Sequence, residues 1–96
     1  MTYTTPSCLI EKEFIVNIQF SNKEVLKNKK QKSLRAYYLK RAMQLGNLLK
    51  NKVNIYFKDH EDKLMRVYTT IWGITTNEII LKQGITIPRN SVVYVD

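Results

Sequence analysis

The sequence predicts an α+β domain in which an N-terminal strand and one amphipathic helix precede a small, bent antiparallel β-barrel. Three observations predict it. Apolar and polar residues alternate from Phe14 to Phe20, and Leu34, Tyr38, Ala42, Leu45 and Leu49 recur at helical spacing. From Lys52 onward, short apolar runs are separated by turn residues. The 96 residues suffice for one core, since a chain of this size buries about 60–68% of its unfolded surface. An apolar fraction of 44% excludes a disordered chain, and three glycines and two prolines leave no room for long linkers. Residues 1–96 therefore form a single domain without internal repeats.

Residues 1–10 are expected to be a loose arm. Over residues 11–20, Phe14, Val16, Ile18 and Phe20 alternate with Ile15, Asn17 and Gln19, the period of a strand with one buried face. Ser21-Asn22-Lys23-Glu24 has capping-box spacing, so Val25 and Leu26 are expected in one helical turn. Residues 27–32 form a basic connector. Ser33 is the expected N-cap of a helix over residues 33–50. Its core-facing stripe is Leu34, Tyr38, Ala42, Leu45 and Leu49, with Tyr37 and Leu48 at the edge and Lys40, Met43, Gln44 and Asn47 opposite. Gly46 costs about 1 kcal/mol relative to Ala in a helix interior, so it either ends the helix or permits close packing.

Residues 52–96 carry the expected barrel. Val53, Ile55 and Phe57 alternate with Asn54, Tyr56 and Lys58, and Asp59 to Lys63 is a polar turn. A long strand follows over residues 64–75, with Gly73 marking a bend or bulge. Thr76-Asn77 turns the chain into the strand Glu78 to Lys82, and Gln83-Gly84 turns it again. Ile85 to Ile87 stops at Pro88, and one more turn leads to Val92 to Val95. Four or five short strands after one helix favour a small bent barrel. Its core is expected to join Leu34, Tyr38, Leu45 and Leu49 to Val53, Ile55, Ile71, Ile79 and Leu81.

Residues 34–96 resemble the Sm-like family, including its bacterial Hfq branch. The resemblance rests on Leu45-Gly46-Asn47-Leu48-Leu49-Lys50 running into Val53-Asn54-Ile55-Tyr56-Phe57, on Asn77-Glu78-Ile79-Ile80-Leu81-Lys82, and on the ending from Ile85-Thr86-Ile87-Pro88 to Val92-Val93-Tyr94-Val95. It implies a helix followed by five bent strands; small SH3-like barrels share that rhythm. The pattern Thr69-Thr70-Ile71-Trp72-Gly73-Ile74 is also similar to uncharacterised small bacterial proteins. The family's second-strand glycine, expected near Val67, is missing, and so is the Tyr-Lys-His element of the Hfq branch, whose place Gln83-Gly84-Ile85 occupies. No functional residue is carried across.

Charge is distributed one-sidedly. The net charge is +8, and residues 1–52 hold eleven Lys and Arg against three acids, whereas residues 53–96 hold five of each. Such asymmetry points to an acidic partner or serves solubility. Lys27, Lys29, Lys30, Lys32, Arg35, Lys40 and Arg41 lie close to Tyr37, Tyr38 and Tyr56 in the sequence. Cations neutralise phosphates and tyrosine rings stack on unpaired bases. Tyr38 lies mid-stripe and is expected in the core, which leaves Tyr37 as the stacking residue. Arg41 falls inside the apolar arc, so it is expected to snorkel outward or to pair with Glu11 or Glu13. Trp72 is expected as a core anchor; turned outward beside Tyr68 and Thr70, it would instead be an interaction site.

Catalytic signals are weak. The only His and the only Cys, His60 and Cys8, are far apart, and there is no Gly-rich phosphate loop. His60 sits among Asp59, Glu61 and Asp62 in what reads as a solvated turn rather than a metal site. No enzyme activity, cofactor or metal is expected. The lone Cys8 and the lack of a secretory run predict a cytoplasmic protein without a membrane partner. Two readings follow. The first is a module binding RNA or single-stranded DNA through Lys27, Lys29, Lys30, Lys32, Arg35, Tyr37 and Lys40. The second is a protein-interaction or homo-oligomeric assembly module, with strand edges as its contacts.

Overall fold

The computed structural model describes the backbone of residues 8–21, 23–49 and 51–95, and within these the side chains of all but residues 8, 12 and 45–49. The expectations for residues 1–7, for Asn22 in the capping box, and for the side chains of Leu45, Leu48 and Leu49 lie outside the described residues.

The arm is not wholly loose. Strand β1 (Cys8–Leu9) pairs in parallel with β3 (Leu64–Thr69), and the Ile10 N–H donates to the Arg66 carbonyl at 2.7 Å. The strand expected over residues 11–20 is absent. Lys12–Asn17 forms a 3-10 helix instead. Residues three apart eclipse in such a helix, so Ile15 is buried and Ile18 packs against the core, while Phe14 and Val16 stand 57% and 73% exposed. The apolar set at 14, 15, 16, 18 and 20 fits both periods, and burial follows the three-residue one. Phe20 makes an isolated bridge to Asp59 and packs its ring 5.4 Å from that of Phe57.

The expected capping box does not start a helix. Ser21 Oγ accepts from the Lys23 N–H at 3.3 Å, closing a local turn. The only α-helix among the described residues, α1 (Lys29–Leu49), begins four residues before the expected start. Asn28 caps it: the Lys30 N–H donates to Asn28 Oδ1 at 2.7 Å. Lys29 to Lys32 are good helix formers once a cap precedes them, so most of the expected connector is the first turn, and Ser33 lies inside the helix.

The buried face of α1 is also rotated from the expected one. Arg35, Leu39 and Ala42 are buried, and Tyr38 and Met43 pack partly against the core, whereas Leu34 is 44% exposed. The true stripe was hidden because its first member is charged. That charge is answered locally by Glu24 and the Val92 carbonyl.

Strands β2 (Val53–Lys58) and β3 form a hairpin in register from Val53 opposite Thr69 to Lys58 opposite Leu64. Asp59 closes its turn: Oδ1 accepts from the N–H groups of Glu61 and Lys63, both at 2.9 Å. The expected long strand divides at Thr70. Strand β4 (Ile71–Ile74) pairs with β5 (Glu78–Leu81), with a register shift between Ile71 and Gly73 where a bulge was expected. Gln83 and Gly84 turn the chain with φ of 69° and 79°, leading to β6 (Thr86–Pro88). A single 3-10 turn, Arg89–Ser91, then delivers β7 (Val92–Val95) to the open side of β2.

The strand orders are β1-β3-β2-β7 and β4-β5-β6. Among the described residues, the closed barrel is not found; two small sheets share one core because the chain leaves one ladder for the other at Thr70. Helix α1 packs against β4 and β7, spanning the two sheets. The core joins Ile15, Leu39 and Ala42 to Ile55, Phe57, Val67, Ile71, Ile79, Leu81, Ile87, Val92 and Val95. The expected core members Ile55, Ile71, Ile79 and Leu81 are buried, and Val53 packs partly against them. No helix among the described residues is long and apolar enough to cross a membrane.

Candidate nucleic-acid interface

Helix α1 turns by about 100° per residue, and this sorts the expected site residues. The exposed arc is centred on Tyr37, itself 60% exposed. Lys29 and Lys40 lie to one side of it, and Lys30 and Arg41 to the other, all exposed. Four cations thus surround one tyrosine. Arg41 joins this group because the buried face centres on Leu39; of its two expected placements, outward or paired with Glu11 or Glu13, it takes the outward one. Lys27 is exposed ahead of the helix. Lys32 is exposed but lies across the helix, where its charge acts on Glu24.

Arg35 does not belong to the exposed set. It is 7% exposed, and its Nη1 donates to Glu24 Oε2 at 2.7 Å and to the Val92 carbonyl at 2.9 Å. Its Nη2 bonds Glu24 Oε1, making a bidentate pair. Burial pushes the Glu24 carboxyl up, but the Arg35 hydrogen bonds, the Leu26 N–H and the charges of Arg35 and Lys32 outweigh it, so the group titrates below its ordinary range. The Arg35 Nε–H is buried without a hydrogen-bond partner among the described residues.

Tyrosine rings continue from the helix onto the sheet. The ring of Tyr37 lies 5.4 Å from that of Tyr38, edge to face; Tyr38 lies 5.8 Å from Tyr94; and Tyr94 lies 6.0 Å from Tyr56. The register places Tyr94 on β7 opposite Tyr56 on β2, and Tyr56 opposite Arg66 on β3. Arg66 Nη1 donates to Asn54 Oδ1 at 2.8 Å. Tyr38, expected in the core, is half-buried and links the helix to this row. Sequence reasoning missed Tyr94, since only the β2–β7 pairing brings it beside Tyr56.

Beside the row, a groove of about 110 Å³ runs between α1 and β7. Leu26, Leu34, Tyr38, Val93 and Tyr94 make its apolar walls, and Gln31 and Arg35 its polar part. A wider cleft of about 630 Å³ opens beyond the ion pair, lined by Glu24, Arg35 and Arg89 together with Ser21, Asn77 and Asn90. It mixes both signs of charge and carries no aromatic row, so it is the poorer match for a polyanion.

Away from the helix, Trp72 is 51% exposed, so it is not the expected core anchor. The chain kinks where it changes sheets, and Thr69, Thr70 and Ile71 are buried while Tyr68 and Trp72 emerge. Lys52 Nζ lies 5.9 Å from the Tyr68 ring centre, and both line a cleft of about 270 Å³ with Leu9, Glu11, Glu13 and Lys82. His60 is exposed with Nδ1 3.2 Å from the Gln19 carbonyl. Among the described residues, no three His, Cys, Asp or Glu side chains converge as metal ligands would.

Compared with known proteins, the chain matches no family model, no curated protein and no solved structure. Fold and surface define a small α+β protein with a basic, tyrosine-centred helix face.

Proposed function

We propose that this chain binds RNA or single-stranded DNA through the exposed face of α1 and the tyrosine row beside it. One observation carries this reading: Tyr37 is ringed by Lys29, Lys30, Lys40 and Arg41 and begins a line of four rings. Cations along a groove track the phosphates, and exposed rings stack on bases without regard to sequence. Arg35 has no place in this contact, since its guanidinium is committed to Glu24 and Val92. The helix face is solvent-exposed, so its charge can be reversed without disturbing the core. The quadruple change Lys29→Glu, Lys30→Glu, Lys40→Glu and Arg41→Glu is expected to abolish the gel shift of mixed-sequence RNA at low salt, while Lys63→Glu, on the β2–β3 turn, leaves it. An unaltered shift in the quadruple variant would refute the reading.

A second reading is favoured by a different surface. Leu9 and Tyr68 are exposed around one cleft, and Trp72 is exposed on the next strand. Exposed Trp and Tyr are common anchors of protein contacts, so this surface suits a protein partner or a second copy. The strand expected over residues 11–20 gives it no strand edge, because Lys12–Asn17 is a 3-10 helix; the segment lends the cleft only Glu11 and Glu13.

A further inference from the structure

We infer that the nucleic-acid track crosses the outer face of the four-stranded sheet to a second stacking platform, Tyr68, with Arg66 as the phosphate contact on the way. The inference rests on the nucleic-acid reading and extends it: one strand would meet Tyr37 on the helix and Tyr68 on the sheet. Side chains along a strand alternate between the two faces of its sheet. Ile55 and Phe57 on β2 and Val67 on β3 are fully buried in the core, so Asn54, Tyr56, Arg66 and Tyr68 stand on the opposite face. The register puts Tyr94, Tyr56 and Arg66 side by side across β7, β2 and β3, with Tyr68 opposite Asn54 in the next row. Tyr68 is thus the diagonal neighbour of Tyr56, a separation of about 7–8 Å that aromatic side chains can span. Among the described tyrosines, Tyr37 and Tyr68 are exposed, at 60% and 54%, and Tyr38, Tyr94 and Tyr56 between them are half-buried.

The charge of this face suits a polyanion. Among the described residues of the four strands, no outward position is Asp or Glu, and Lys58 and Arg66 are cations. Lys58 lies 3.7 Å from Asp62 of the turn, which leaves Arg66 as the central cation. Arg66 is half-buried, and its Nη1 donates to Asn54 Oδ1 at 2.8 Å. That bond holds the planar group in place and leaves its other donors for a phosphate. Lys52 Nζ, 5.9 Å from the Tyr68 ring centre, adds a cation at the far platform. Glu11 and Glu13 line the cleft beyond Tyr68, and their charge ends the track there. Continuity argues for the same occupant on both faces: a single strand that follows the tyrosine row from the helix reaches β2 at Tyr56, with Arg66 directly opposite on β3.

The test is fluorescence anisotropy with the full chain and a labelled oligouridylate of about ten nucleotides, within the range one small domain covers. Tyr68→Ala should weaken binding by about 5- to 150-fold, the loss of one stacked base, and leave the salt dependence parallel to the parent's. Tyr68→Phe, which keeps the ring, should bind as the parent does. Arg66→Gln should make the log–log salt slope shallower by about 0.7, one phosphate contact on a single strand. Melting curves serve as the control. If Tyr68→Ala melts early, the slope of Arg66→Gln decides. Binding of a folded Tyr68→Ala as tight as the parent's, or an unchanged slope in Arg66→Gln, would overturn the sheet track. The helix face would then stand alone, and Tyr68 would return to the protein-contact surface. A loss in Tyr68→Phe equal to that in Tyr68→Ala would likewise overturn stacking at this residue. Failure of the parent chain to bind at low salt would overturn both the track and the reading beneath it.

Discussion

Arg35 occupies the buried face of α1 because Glu24 and the Val92 carbonyl take up its charge and three of its hydrogen bonds. A buried pair of this kind adds little over an apolar isostere, yet breaking it from one side is costly. Glu24 remains partly open to solvent, so Arg35→Ala is expected to destabilise by about 2–4 kcal/mol, below the top of the range for fully buried pairs. Urea unfolding measures this; a change under about 0.5 kcal/mol, the range of surface substitutions, would place Arg35 outside the core. Glu24 links the same contact to pH. Its folded-state affinity for protons lies below the ordinary value of 4.5, so its contribution is fully present above that value and is lost as pH falls through the lower, folded one. Glu24→Gln should therefore flatten the acid limb of stability against pH below about 4.5. An acid limb identical to that of the parent would show that another carboxylate carries it. Neither partner announces the other in the sequence: they are eleven positions apart, and only the turn at Ser21 and the docking of Val25 on the Asn90 carbonyl bring them together.

The orientation of α1 sets both the core and the candidate interface. Leu39 is fully buried and Leu34 is not, although Leu34 headed the stripe with more apolar members. Leu39→Ala is expected to cost about 2–5 kcal/mol through lost burial and a residual cavity, and Leu34→Ala less than about 0.5 kcal/mol. Reversal of that order in chemical denaturation would restore the face expected from periodicity. The 3-10 helix offers a parallel comparison: Ile15→Ala should cost about 2–4 kcal/mol, while Val16→Ala, at an exposed position, should be close to neutral. Periodicity was most legible over Val53 to Lys58, where alternation was strict and Asp59 to Lys63 supplied the turn; it gave no sign of the break at Thr70, where three consecutive residues are buried. It failed where two periods fitted one segment, as in residues 14–20, and where a charged residue belonged to the buried stripe, as at Arg35. The cap at Asn28 is obscured by the lysines that follow it, whose charge has the pattern of a connector although they are sound helix formers.

At the scale of the whole molecule, two small sheets and one helix place Lys29, Lys30, Lys40 and Arg41, four of the eleven Lys and Arg of the N-terminal half, on one exposed helix face. The positive excess of that half was legible in the sequence, and so were Lys29, Lys30, Tyr37 and Lys40. The sequence could not exclude Arg35 or admit Arg41, since both assignments depend on the helix's rotation about its axis. Nor could it reveal the run from Tyr38 to Tyr94 and Tyr56, which requires the pairing of β7 with β2. If charge and ring act together, they should separate by salt. Each phosphate contact on a single strand contributes about 0.7 to the log–log slope, whereas stacking contributes almost nothing to it. The most direct measurement is the dissociation constant of a mixed-sequence single-stranded RNA across a salt series, for the parent chain and for Tyr37→Ala. The account predicts a slope of about −3.5, from roughly five phosphate contacts, with Tyr37→Ala weaker by about 1–3 kcal/mol at every salt concentration and parallel to the parent. A flat salt series, or a Tyr37→Ala variant that binds as tightly as the parent, would contradict it.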